Sequence, residues 1–278
     1  MIFNSPENVR SLTHLSSYER FADGRPRVPD DLLERLTLAT NDETWAIVSR
    51  KHGYQFQFVG AWPVHLQPER VLVGRVVTAA FVPLRPDLNT AVDARGRNEG
   101  RAGRHNAWVI ESLQRGDVAV VDLFGKIRDG TFIGDNLATA VRARTGTGLV
   151  IEGGIRDLAR VRELTDFPVY ARGVDPSAIS DVTLIGVNIP VRIGGATVLP
   201  GDVVLGTRAG VTFIPPHLVR EVVEHSEDVR ERDVWGKRML ETGKYSSAQI
   251  DVAAWSPEVE SDYRASRAQR RAPAGGDS

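Results

Sequence analysis

Gly134-Asp135-Asn136-Leu137-Ala138-Thr139-Ala140-Val141-Arg142-Ala143-Arg144-Thr145-Gly146-Thr147-Gly148-Leu149-Val150-Ile151-Glu152-Gly153-Gly154-Ile155-Arg156-Asp157 spells out a helix, a glycine-rich turn, a strand and the start of another helix. Leu137, Ala140 and Val141 recur at helical spacing, so 134–144 reads as a helix with those residues turned inward. Residues 148–151 are apolar and partly β-branched, which marks a buried strand. A further helix is expected over 156–164. Asp135 and Asp157 therefore fall at two predicted helix starts within one supersecondary step, and both can sit at the same end of adjacent elements. Helix N-termini also present unbonded backbone N–H groups to an anion.

The same rhythm extends outward. Upstream, 106–113 reads as a helix and 118–124 as a buried strand; downstream, 168–171 is another strand. The alternation then gives way to short strands at 189–193, 197–199, 203–205 and 210–214, split by Gly and Pro turns. Strand-helix units followed by a strand meander predict α/β layers with mixed sheets, not a purely doubly wound fold. Residues 217–242 read as a long helix with Leu218, Val219, Val222 and Val223 on one side. Nearer the N-terminus, 71–82 is rich in β-branched residues and reads as a strand. Pro29 opens a helix whose apolar face is Leu32, Leu33 and Leu36, and Asn41 caps a second. Residues 1–28 read as a loose arm, 84–104 as a long polar loop, and 265–278 as a disordered tail.

Composition narrows the function. The chain has 278 residues, 41% of them hydrophobic, which suffices for one sizeable core with terminal extensions. The 35 basic and 36 acidic residues nearly cancel, so nothing points to nucleic acid held by counterion release or to a membrane surface. There is no cysteine, which removes disulfides, thiolate metal sites and cysteine nucleophiles. Residues 1–27 carry charges throughout and hold no apolar signal core, and the longest apolar runs are far too short to span a bilayer. A cytoplasmic location is the expectation. No phosphate-binding Gly-x-x-x-x-Gly-Lys loop, Gly-x-Ser-x-Gly elbow or His-Glu-x-x-His pair occurs. Gly146-Thr147-Gly148 precedes a strand, the wrong context for a dinucleotide. The six histidines show no ligand spacing.

Simple structural roles stand beside functional ones. Asp135 and Asp157 can be plain helix caps, and Asp157 can pair with Arg160 three residues on. Arg156 can be a surface ion-pair residue. Gly153-Gly154 and Gly194-Gly195 read as turn glycines, and Tyr170 and Arg172 as strand residues.

Five blocks in order carry a resemblance: Gly134-Asp135-Asn136-Leu137-Ala138, then Val150 to Asp157, Pro168-Val169-Tyr170-Ala171-Arg172-Gly173, Val198-Leu199-Pro200-Gly201-Asp202, and Gly210-Val211-Thr212-Phe213-Ile214-Pro215. Together they resemble the RraA-like family over roughly residues 70–245. That family includes 4-hydroxy-4-methyl-2-oxoglutarate aldolases with oxaloacetate decarboxylase activity and regulators of ribonuclease activity. The resemblance implies a layered α/β/β/α sandwich with a swivelling β/β/α core and mixed sheets. It implies a lyase that cleaves a C–C bond of a small 2-oxo acid, with Mg²⁺ or Mn²⁺ as cofactor. Asp157 then resembles the carboxylate that binds the metal, and Arg156 the cation at the keto oxygen. Gly134, Asp135, Asn136 and Leu137 resemble the loop that holds the substrate carboxylate. Asp135 also resembles the carboxylate that keeps a metal-bound water. An acidic residue of a neighbouring subunit completes family sites, and Glu227 is the candidate, in a homotrimer or dimer of trimers. Two alternatives remain open: a metal-dependent dehydratase or isomerase of a sugar-derived acid, and a non-enzymatic ribonuclease-regulator-like protein.

The sequence also departs from the family. Arg160 stands where many members carry an acidic residue, and Thr207 and Ala209 stand where many have Asp. The arginine-rich 84–104 segment, with Arg85, Arg95, Arg97, Arg101, Arg104 and His105, can bring charge to a pocket for a more acidic or polyhydroxylated substrate, or be a solvated loop. The expected layout is an N-terminal helical arm over 1–64, a catalytic domain over 65–245 and a C-terminal extension over 246–278.

Overall fold

A long strand, Leu72–Pro83, organises the molecule, which is described by a computed structural model over residues 3–271. In chain order the elements are α1 (Pro6–Leu12), α2 (Asp30–Leu36), α3 (Asn41–Trp45) running into a π-helical turn (Ala46–Lys51), β1 (Phe58–Val59), β2 (Val64–Leu66), β3 (Leu72–Pro83), α4 (Pro86–Asn98), α5 (His105–Glu111), β4 (Asp117–Asp122), α6 (Asp135–Thr145) and β5 (Leu149–Ile155). Then come α7 (Leu158–Arg162), β6 (Val169–Val174), β7 (Val182–Val187), β8 (Val191–Ile193), β9 (Ala196–Val198), β10 (Val203–Thr207), β11 (Gly210–Ile214), α8 (Val219–Glu241), α9 (Ser247–Ile250) and α10 (Pro257–Arg271).

Among the described residues, nine strands form one mixed sheet in the order β1-β11-β10-β3-β4-β5-β6-β2, with β7 pairing β3 as well; β8 and β9 make a separate two-stranded sheet. β3 to β6 run parallel, whereas β10, β11, β7 and β2 pair antiparallel. Side chains alternate across each strand, and that alternation fills two layers. Ala119, Val121, Leu149 and Ile151 face the helical side, where Trp108 of α5, Val141 of α6 and Val161 of α7 cover them. Val118, Val120 and Val150 face the other way and meet Val191, Ile193 and Val198 of the β8-β9 hairpin. In β10, Val204 joins this second layer, while Val203 and Leu205 meet α2, the 46–51 turn and the start of α8. The expected α/β/β/α layering and mixed sheets are thus present.

Two compact units are distinguishable, Met1–Val223 and Glu224–Ser278. The boundaries expected at 64 and 245 do not match them. Residues 1–64 belong to the first unit, and the second begins inside α8. The second unit has its own small core of Trp235, Tyr245, Val259 and Tyr263. Beside it, the Arg232 guanidinium lies 4.0 Å from the Trp255 ring and bonds Glu260 at 3.0 Å.

Three further sequence expectations need correction. The 84–104 segment is not a loop: α4 occupies most of it. Pro86 starts the helix and Val92 is buried. Gly96 has no side chain where a Cβ would run into the Trp108 ring, so helix and ring pack closely. The polar composition hid a helix because only one narrow face is apolar. The N-terminal arm is not loose either. Besides α1, it contains Arg25, which is fully buried and bonds both Asp117 carboxylate oxygens, at 2.8 and 3.1 Å. Finally, α10 extends through Arg271, where a disordered tail from 265 is expected; residues 272–278 lie outside the described residues.

Candidate active site

The two halves of the 134–157 signature meet because the chain before α6 runs alongside the end of β5. Gly154 N donates to Gly130 O, Phe132 N to Gly154 O, and Arg156 N to Ile133 O, each at 3.0 Å. This ladder sets Gly134 against the Arg156-Asp157 corner. A Cβ on Gly134 would collide with Asp157 Oδ2 and lie 2.9 Å from Arg156 Nε. Glycine here permits the close approach of the Arg156 and Asp157 side chains and does not serve an unusual φ. Gly153 and Gly154 follow the same logic. They stand inside β5 rather than in a turn, and added Cβ atoms would press on Leu123, Lys126 and Ile127. Gly194, by contrast, has φ +55° in the β8-β9 turn, as expected.

Asp157 occupies the cap position of α7, yet its side chain makes no capping hydrogen bond. The plain-cap reading is therefore wrong in its geometry. Its backbone is left-handed, with φ +54°, a conformation that Asp tolerates better than most residues. The Asp157 carboxylate lies 3.6 Å from Arg156 Nε, and both side chains are more than a third exposed (36% and 41%). Nor does Arg160 pair with Asp157. It reaches the Asp135 carboxylate at 3.4 Å and so links the two helix starts. Asp135 is the first residue of α6, not its cap, and it accepts from the backbone N of Asn136 at 2.9 Å. Gly134, the cap residue, supplies no side chain, so the start of α6 lacks a side-chain cap.

Beside this corner is a cleft of about 380 Å³, lined by Arg104, Asn106, Gly134, Leu137, Arg156 and Ile179 among others. Asp135, Asn136 and Asp157 stand next to it rather than in its lining. The sequence reading missed Asn106. This buried side chain donates to Phe132 O at 2.8 Å and ties α5 to the segment before Gly134. In the sequence it stands as a single amide just before the apolar run 107–110. Most arginines of 84–104 are spent locally: Arg85 pairs with Asp87, and Arg95 and Arg101 both pair with Glu99. Arg104 remains at the cleft, with a bond from Nη1 to Ile179 O at 2.6 Å. Glu227 belongs to the second unit, on α8.

No group of three or more His, Asp or Glu side chains gathers as a metal cage among the described residues. A single carboxylate completed by waters and substrate oxygens is nevertheless an ordinary Mg²⁺ donor set. Asp157, partly exposed and without a capping bond, fits that role.

Fold and corner together define a layered α/β protein with an uncapped helix start facing an Arg-Asp pair. The chain belongs to the RraA-like family, whose description, RraA-like: Aldolase/RraA, matches residues 46–213. A protein of Halalkalibacterium halodurans with the provisional name 4-hydroxy-4-methyl-2-oxoglutarate aldolase is 28% identical over 167 residues, 59% of this chain and 78% of its own length. Among solved structures, Streptomyces coelicolor RraAS2, titled an unusual member of the RNase ES inhibitor RraA protein family, is 28% identical with a TM-score of 0.64. The match covers 76% of this chain and 99% of that one. An uncharacterized protein of Pseudomonas syringae pv. tomato shares the fold at 21% identity and TM-score 0.63, over 85% of this chain and 96% of that one. No helix among the described residues is long and apolar enough to cross a membrane.

Proposed function

We propose that the chain is a divalent-metal-dependent lyase that cleaves a C–C bond of a 2-oxo acid, by aldol cleavage or by decarboxylation. The observation that carries this reading is the contact of Gly134 with Arg156 and Asp157, which sets an uncapped helix start, a guanidinium and an available carboxylate around one point. Asp157 would hold Mg²⁺ or Mn²⁺, which when bound supplies Lewis acidity to the 2-oxo group. Backbone N–H groups at the start of α6, over Gly134 to Leu137, would receive the substrate carboxylate, that of Asn136 by giving up its bond to Asp135 Oδ1. Arg156 would donate to the 2-oxo oxygen. As the C3–C4 bond breaks, its electron pair moves into C2–C3 and charge grows on that oxygen, where a fixed cation stabilises it most. In decarboxylation, CO₂ departs and C3 takes a proton. In aldol cleavage, the C4 hydroxyl loses its proton, the aldehyde or ketone departs, and C3 is protonated likewise. Asp135, steadied by Arg160, would orient the water that moves this proton.

As in the family, the working form would be a homotrimer or dimer of trimers, with Glu227 of a neighbouring subunit completing the site. Light scattering should then give three or six chains; a monomer at assay concentration would count against it. The main test is pyruvate release from oxaloacetate and from 4-hydroxy-4-methyl-2-oxoglutarate, with Mg²⁺ and with chelator. Release that chelator abolishes is expected; equal rates in both conditions would contradict the metal role. A second reading, a ribonuclease-binding protein, is favoured by the likeness to RraAS2. Silence on every 2-oxo acid together with tight binding to a ribonuclease would select it.

A further inference from the structure

α4 gives the site a second compartment. A cleft of about 400 Å³ adjoins the first and shares Arg104, Asn106 and Ile179 with it. Each is within the size range of small-molecule pockets, so the pair offers more room than a pyruvate unit needs. The far wall of the second cleft includes Asn89 and Asp93 of α4 and His105 of α5.

Strand β7 fixes that wall. Thr183 Oγ1 donates to Asn89 Oδ1 at 2.9 Å, and Leu184 N donates to His105 Nδ1 at 3.3 Å. Because Nδ1 accepts, the ring proton sits on Nε2, which donates to Asp93 Oδ1 at 2.9 Å. Asn89 Nδ2 donates to Asp93 Oδ2 at 2.8 Å. Each Asp93 oxygen has thus accepted once and keeps acceptor capacity, since a carboxylate oxygen takes two bonds. The Asp93 side chain is 40% exposed. At the junction of the two clefts, Arg104 forms no ion pair among the described residues and, beyond its bond to Ile179 O, has N–H groups to donate. An acceptor wall with donors beside it suits a hydroxyl group, which donates and accepts at once. A carboxylate there would face Asp93 as a like charge. An apolar arm could pack on Phe81, Leu84 and Val182 of the same cleft but would leave the spare acceptor capacity of Asp93 and the remaining Arg104 N–H groups unused.

We propose that this second cleft receives the distal arm of the substrate, and that the arm carries neutral hydroxyl groups in place of a second carboxylate: a polyhydroxylated, sugar-derived 2-oxo acid. The inference rests on the 2-oxo acid reading of the Gly134 corner. Arg104 positions the middle of the chain, while Asp93 and Asn89 select its far end.

The test compares kcat/KM for pyruvate release from 2-oxo-3-deoxygluconate, with a hydroxylated arm, and from 4-hydroxy-2-oxoglutarate, with a carboxylate arm. Exchange of pyruvate methyl protons with deuterium in the wild-type protein reports the 2-oxo acid chemistry without any arm. Exchange together with a preference of at least about tenfold for the hydroxylated acid is expected, because a hydrogen bond to a charged group contributes roughly that factor or more. Asp93→Asn should lower the preference by a similar factor by relieving the repulsion of a carboxylate arm. Asn89→Ala, which keeps the Asp93 charge, should lower it less and gives a second reading if the first variant folds poorly. Exchange with preference for the carboxylate arm, or a preference unmoved by both variants, would overturn the inference and leave the corner's chemistry standing. No exchange and no pyruvate from either acid would remove the 2-oxo acid reading and this inference with it.

Discussion

Arg25 with Asp117 and Arg156 with Asp157 pair the same two residue types to opposite ends. At the first pair both side chains are fully buried, two direct bonds join them, and Asp23 and the backbone of Gln114 add more. At the second pair both side chains are over a third exposed, and the groups stand 3.6 Å apart. The first pair is sealed from solvent, so no ligand can reach it. The second is held by backbone geometry, the ladder beside β5 and the left-handed turn at Asp157, so its charges remain available. Charges that hold this fold satisfy one another. Charges proposed to act are placed by main chain and left open.

The largest effect expected from that contrast is on stability. Arg25→Met leaves the Asp117 charge buried without its partner, and removing one member of a buried pair costs about 3–5 kcal/mol. Urea unfolding should register that loss; a change within experimental error would show that the arm is not clamped. Gly134→Ala comes next. The new Cβ would push aside the ends of two flexible, partly exposed side chains, Asp157 Oδ2 and Arg156 Nε, so stability should fall by less than the roughly 1–3 kcal/mol of an overpacked core. Because the shift misplaces the proposed metal ligand and cation, metal-dependent turnover should fall about tenfold or more. Unaltered turnover would mean the three residues need not meet.

The third prediction concerns pH. Asp202 is fully buried, and burial pushes its carboxyl up to about 8, against a bond from Leu199 N that pulls it down. The unfolded chain ionises this group near its ordinary value while the folded chain keeps the proton. The folded state therefore binds more protons between those two values, and stability falls as pH rises from about 4 to about 8. The slope is at most about 1.4 kcal/mol per pH unit. Asp202→Asn should flatten it in urea midpoints at pH 5 and pH 8; an unchanged slope would mean the group ionises freely. The smallest effect belongs to Arg160→Ala. An exposed ion pair contributes about 0.2–1 kcal/mol, so the melting temperature should barely move. A large drop would make the Asp135–Arg160 link structural.

How much of this was legible depended on periodicity. The 134–157 step, β4, β6 and the Gly-Pro-punctuated strands carried patterns strong enough to read, because each buries two faces or one clear stripe. β1 and β2 were too short to show alternation. β7 (Val182-Thr183-Leu184-Ile185-Gly186-Val187) has a run of β-branched residues but no polar alternation to set it apart from the irregular chain before it. α4 looked like a loop because its burial falls on Val92 and Gly96 alone. At the site, spacing and resemblance together mark Asp135, Arg156 and Asp157. The contact through Gly134 was not, since it depends on the 130–133 segment bridging β5. Arg104 reads from sequence as a charge for a pocket, while Asn106 and Asp93 acquire meaning only once α4 and α5 stand side by side.

The proposed chemistry requires Asp157 to be an available carboxylate. The direct measurement is proton NMR of pyruvate methyl exchange in D₂O, with Mg²⁺ or with chelator, for wild type and Asp157→Asn. Asn keeps the size of the side chain and tolerates the left-handed backbone, so the variant removes charge with little change in fold. The account predicts Mg²⁺-dependent exchange by the wild type and at least about a hundredfold loss in the variant, the scale of losing one principal electrostatic contact to the developing charge. Exchange by Asp157→Asn at the wild-type rate, or exchange indifferent to chelator, would contradict it.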